Sequence, residues 1–154
     1  MEEESQGRPT PSAARVLILI VGDVLVMLLF AWVGRRSHSL PAFDIGAWLT
    51  AAAPFIVAWF LVTPWFGLFR AEVSQHWRQL LPRLLIAWAI IGGPLALVLR
   101  ALFLGRPIPA GIIPSFAVVA LGFTTLFILA WRLGYIWWVN RRISQTDGAG
   151  EATL

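Results

Sequence analysis

The chain contains no cysteine. That excludes disulfides, thiolate metal sites and cysteine nucleophiles, and it leaves the redox compartment open. Lysine is absent as well, since all twelve basic residues are arginines. No glycine-rich loop therefore ends in the lysine of a phosphate-binding loop. The sequence also has no HExxH, no pair of carboxylates within one apolar run and no serine nucleophile elbow. Together these absences make a non-enzymatic protein the expectation. Charge of either sign is scarce, at 13% of residues, about half of the roughly 25% usual in water-soluble domains.

What is present is apolar. Of the 154 residues, 58% are hydrophobic, and mean hydropathy is +0.76. The length suits one domain, and the composition suits lipid rather than water as its main solvent. A net charge of +4 and a pI near 11.3 raise nucleic acid as a partner. The arginines, however, stand singly or in pairs at the ends of apolar runs. They form no basic stripe interleaved with aromatics, so nucleic acid is excluded. Arginine at such places snorkels to lipid phosphates, and membrane lipids become the expected partner.

A bilayer core needs roughly 20 apolar residues per helix. Four runs have that length, predicting spans over about 15–34, 45–69, 81–104 and 115–139. The polar segments 1–14 and 140–154 are expected to be disordered tails. The first run follows acidic residues, exceeds a signal core in length and lacks a small-residue cleavage site, so it reads as a span. The fold class expected is all-α, a bundle of four transmembrane helices joined by short loops. Within the runs, Pro54, Pro64 and the Gly92-Gly93-Pro94 triplet are expected to bend or break helices. Thr63 is placed to satisfy the carbonyl that Pro64 frees. Slim Ala51–Ala53, and the spacings Ala89/Gly93 and Ala130/Gly134, favour close helix packing.

Four spans put both termini on one side. Arg8, Arg15, Arg70, Arg78, Arg83, Arg141 and Arg142 fall there, against Arg35, Arg36, Arg100 and Arg106 opposite. Positive flanks stay inside, so the expected location is a bacterial or archaeal cytoplasmic membrane with both termini cytoplasmic. The first and third spans end alike, in FAWVGR and FLGR, a faint sign of two parallel hairpins.

Two constellations could carry function. Asp23 lies eight residues beyond Arg15, roughly 12 Å into the membrane at 1.5 Å per residue. Arg132 lies seven residues before Val139, at roughly 10 Å from the same face. An unpaired charge at that depth costs about 2.5–3.5 kcal/mol, so the two are predicted to meet inside the bundle. A structural ion pair is the simpler reading, with a proton- or ion-coupled site as the functional alternative. Arg35, Arg36, His38, Arg100 and Arg106 form the second group. They are read as interfacial anchors that can contact a lipid headgroup or another anion. His38 and His76 sit in no ligand pattern, so no metal or other cofactor is expected. Most of the nine tryptophans fit an interfacial belt, with Trp131, Tyr135, Trp137 and Trp138 beside the last span.

The stretch DVLVMLLFAWVGRRSH, from Asp23 to His38, resembles the opening signature of an uncharacterised prokaryotic membrane family, domain of unknown function 3054. The matching positions are Asp23, Gly34, Arg35, Ser37 and His38. Leu99-Arg100, FAVVA at Phe116–Ala120 and AWR at Ala130–Arg132 are similar to later parts of the pattern. The resemblance covers roughly residues 15–138 and implies a four-helix membrane domain of no assigned activity. Richness in Trp sets this chain apart and leaves room for a specialised partner, such as a larger membrane complex. The function expected is a non-enzymatic membrane protein whose Asp23–Arg132 pair holds the bundle. A small proton-coupled transporter, analogous to small multidrug resistance transporters, is one alternative. An accessory subunit of a pigment or respiratory complex, or a homo-oligomer, is another.

Overall fold

An apolar run in lipid must satisfy its own backbone, and a helix does so within one segment. The computed structural model describes residues 12–37 and 44–151, and each apolar run in it is helical. The helices are α1 (Ser12–Ser37), α2 (Ile45–Val62), the short α3 (Ala71–Ser74), α4 (Trp77–Leu84), α5 (Gly93–Phe103) and α6 (Pro114–Glu151). A 3-10 turn, Thr63–Phe66, extends α2, and a π-helical stretch, Leu85–Gly92, joins α4 to α5. Four rods therefore have the length and apolar character to cross a membrane: Ala13–Ser37, Ile45–Phe66, Trp77–Phe103 and Pro114–Arg142. The shortest has 22 residues, about 33 Å at 1.5 Å per residue, against a hydrocarbon core of about 30 Å. No strand occurs among the described residues. The chain is an all-α membrane protein.

Packing follows chain order. α2 lies against α1 on one side and against α5 and the π stretch on the other, while α6 closes the ring against α1 and the π stretch. The core runs through Met27, Phe55, Ala58, Trp59, Leu84, Trp88, Ala96, Ala120 and Ile128. Trp59 and Trp88 meet edge to face at 5.3 Å. Because an indole N–H in apolar surroundings must find an acceptor, Trp88 donates to the Thr124 hydroxyl at 3.0 Å. That hydroxyl in turn donates to the Ala120 carbonyl.

Helix ends obey local chemistry. Asp44 caps α2, its carboxylate accepting from the Ala47 amide at 3.0 Å. Gly67, with φ +63°, turns the chain after Phe66 through a conformation that side-chain-bearing residues resist. Gly105, also at φ +63°, ends the third rod. The Arg106 amide then donates back to the Ala101 carbonyl at 2.9 Å, a glycine C-cap that folds Arg106 against the rod it leaves.

Several expectations change in detail. The third rod begins at Trp77 rather than near residue 81, so only part of the segment 70–80 is loop. Gly92-Gly93-Pro94 does not break that rod. Both glycines keep helical angles, and the helix widens to π geometry, the Gly93 amide donating to the Trp88 carbonyl five residues back. Thr63 does not serve the carbonyl of Phe60, which Pro64 leaves without its amide. Its hydroxyl donates to the Trp59 carbonyl at 2.8 Å, the four-residue reach normal for threonine in a helix. The α6 backbone continues past Val139 to Glu151, because propagating a formed helix is cooperative. The tail segments 1–11 and 152–154, and the loop around Pro41, lie outside the described residues.

Candidate functional site

α1 and α6 meet in close contact at Gly22. A Cβ there would collide with the Trp131 indole, so only glycine admits the ring. The next residue, Asp23, is wholly buried, as is Arg132, the residue after Trp131. The Arg132 Nε donates to Asp23 Oδ1 at 3.0 Å and its Nη2 donates to Oδ2. This is the two-pronged arrangement that a planar guanidinium gives a carboxylate. The predicted pair therefore forms, in a buried salt bridge.

Two further groups complete the cluster, and neither follows from counting depth along the helices. Trp59 of α2 donates its indole N–H to Asp23 Oδ2 at 2.9 Å. The Leu68 carbonyl accepts from Arg132 Nη1 at 2.9 Å, delivered there by the turn at Gly67. The guanidinium carbon also lies 5.1 Å from the Phe69 ring centroid, within cation–π range. Three rods and the connection after α2 thus share one charge-assisted network. A mid-span indole in an apolar run was the signal for Trp59. A backbone carbonyl gives no sequence signal at all.

The second group lies at the other end of the bundle, where α1 and α5 finish and α2 and α6 begin. Arg35 and Arg100 line one cleft of about 520 Å³. Arg100 and Arg106 line an adjoining one of about 600 Å³. Ser37, Phe116 and Val119 border both. The Arg100 guanidinium stands over the Phe116 ring, 4.6 Å from its centroid. Arg36 stays apart, exposed, over Trp32 at 5.7 Å. His38 lies outside the described residues. His76 is exposed, with Nδ1 3.0 Å from the Glu72 carbonyl oxygen.

The five arginine and aspartate positions that carry this geometry, Asp23, Arg35, Arg100, Arg106 and Arg132, fall in a segment that matches a known family. Residues 20–135 match the family described as protein of unknown function (DUF3054). The chain belongs to DUF3054. No curated protein and no solved structure matches it. In this DUF3054 chain the family segment holds the whole lock between α1, α2 and α6, together with all three cleft arginines, Arg35 among them.

The tryptophans divide by role. Trp65, Trp77, Trp137, Trp138 and Trp32 are exposed, and four arginines stack on neighbouring indoles: Arg36 on Trp32, Arg78 on Trp77, Arg141 on Trp137 and Arg142 on Trp138. Trp48, Trp59, Trp88 and Trp131 face other helices. Trp48, for instance, donates to the Leu28 carbonyl at 2.8 Å. The belt expected beside the last span therefore contains Trp137 and Trp138 but neither Trp131 nor Tyr135, which is buried. Among the small-residue spacings, a Cβ at Gly93 would strike Leu121, whereas one at Gly134 would meet no side chain or other helix within 4 Å.

Proposed function

We propose that this DUF3054 protein is a non-enzymatic scaffold of the cytoplasmic membrane. One end is locked by Asp23 and Arg132, and the other presents a basic cleft to lipid or to a membrane partner. The observation that carries this reading is the complete burial of Asp23, with both carboxylate oxygens taken by Arg132 and Trp59. A proton-coupled transporter needs water to reach its carboxylate. Neither Asp23 nor Arg132 lines either cleft, which favours the scaffold. Both termini lie in the cytoplasm, following the arginine excess at their end.

The test compares Asp23→Asn with the double change Asp23→Leu/Arg132→Leu. Removing one partner of a buried pair costs about 3–5 kcal/mol, while replacing both with apolar groups is close to neutral. We expect Asp23→Asn to lower the detergent Tm strongly and the double change to recover most of it. Proteoliposomes of the native chain should carry no proton flux. A flux that Asp23→Asn abolishes in a normally folded protein would overturn the scaffold in favour of the transporter.

A further inference from the structure

A cation at the edge of a hydrocarbon layer is stable only with an anion or with water. Arg100 is half-buried three residues before the end of α5, with its guanidinium over an aromatic face. Among the described residues no carboxylate forms an ion pair with it or with Arg106. Among the described residues, the two adjoining clefts it separates have three arginines and no acid in their walls. Asp44, the acid described at this end, is spent on capping α2. The first turn of α6, at Ser115 and Phe116, also lines the second cleft, bringing the positive end of a long helix to the same place. The site is built for negative charge.

Its remaining surface is built for hydrocarbon. Phe30, Phe55, Phe103, Val119 and Ala120 form the first cleft, and Val119 and Phe103 are exposed at its rim, so the groove opens sideways. A free inorganic anion has no use for such a wall. Volumes of about 520 and 600 Å³ fall within the roughly 300–1,000 Å³ of ligand pockets. The level fits too, since Arg100 sits about 4.5 Å from its helix end at 1.5 Å per residue. The guanidiniums are then at headgroup height and the aromatic groove below them.

We propose that this cleft holds one anionic phospholipid from the leaflet opposite the termini. Its phosphate is clamped between Arg100 and Arg106, with Arg35 alongside, and an acyl chain lies along the groove under Val119. The inference deepens the scaffold reading by naming what the scaffold presents its open end to.

Native mass spectrometry of the delipidated full chain tests it, with dioleoyl phosphatidylglycerol, dioleoyl phosphatidylcholine and inorganic phosphate as probes. The phosphatidylglycerol adduct should be favoured over phosphatidylcholine. Arg100→Gln should weaken it about tenfold, the scale of one charge-assisted hydrogen bond. Arg141→Gln, at the other end, should leave it unchanged. Val119→Trp keeps every charge and fills the groove, so it should weaken phosphatidylglycerol binding while the lipid-free Tm holds. Equal retention of both lipids, equal losses from Arg100→Gln and Arg141→Gln, or displacement by equimolar inorganic phosphate would each overturn the proposal. Failure here leaves the Asp23→Asn result untouched, because that variant loses Tm without added lipid.

Discussion

At the scale of single residues the molecule depends on a few atoms with no substitute. Trp59 is one. Replacing it with Phe keeps the ring packing on Trp88 but leaves Asp23 Oδ2 with Arg132 as its remaining donor. A hydrogen bond to a charged group contributes about 1.5–3 kcal/mol, so Trp59→Phe should destabilise by that amount and by less than Asp23→Asn. Chemical or thermal unfolding in detergent reads the difference. Gly22 is another such residue. Gly22→Ala drives a methyl into the Trp131 indole and should cost about 1–3 kcal/mol, the usual range for overpacking. Gly122→Ala meets nothing within 4 Å and should be neutral or stabilising by up to about 1 kcal/mol, the helix-propensity gain. If the two alanines destabilise alike in Tm measurements, Gly22 is not the close approach described. The Asp23–Arg132 meeting was legible in the sequence because depth along a helix can be counted in residues, and two opposite charges at one depth have little choice of partner. The same counting could not find the Leu68 carbonyl. Its position depends on a turn at Gly67, and a backbone oxygen looks alike at every position.

At the scale of elements, four apolar runs of the right length gave four rods, since lipid leaves the backbone few alternatives. Their ends were less legible. The third rod starts at Trp77 because Arg78 and Gln79 are good helix formers whose polar groups an interface tolerates. The π stretch was invisible because Gly92-Gly93-Pro94 carries the same local signal for a break as for a widened helix. What holds the wide segment is tertiary: Trp88, inside it, is tied to Thr124 of α6. Thr124→Val would leave the Trp88 N–H buried without its acceptor, costing about 1–3 kcal/mol. Adding Trp88→Phe removes the stranded donor, so the double variant should lose less than the sum of the two single variants. A double-mutant cycle on unfolding free energies measures that coupling. An additive cycle would show that the hydrogen bond does not hold the wide segment to α6.

At the scale of the whole molecule the two ends of the bundle differ. The termini end holds the buried Asp23–Arg132 pair and is rimmed by indoles, with Trp65 87% exposed and arginines stacked on Trp77, Trp137 and Trp138. Indoles with an apolar body and a polar edge settle at the headgroup level, and a guanidinium on each face adds attraction to lipid phosphates. The far end has Trp32 alone among exposed tryptophans, and the arginine cleft. Such asymmetry separates two tasks for one residue type: outer tryptophans set how the bundle sits in lipid, and inner ones set how the helices meet. Their separation is measurable by quenching with lipids brominated near the headgroup. Replacing Trp32, Trp65, Trp77, Trp137 and Trp138 together with Phe should remove most of the quenchable emission. Each exposed site should change stability by no more than about 0.5 kcal/mol, because none of these rings belongs to the buried core. The emission that remains, from Trp48, Trp59, Trp88 and Trp131, should resist quenching until the bundle unfolds. Strong quenching of that remainder in the folded protein would mean that lipid reaches the helix interfaces, and the division of the tryptophans into outer and inner roles would fall.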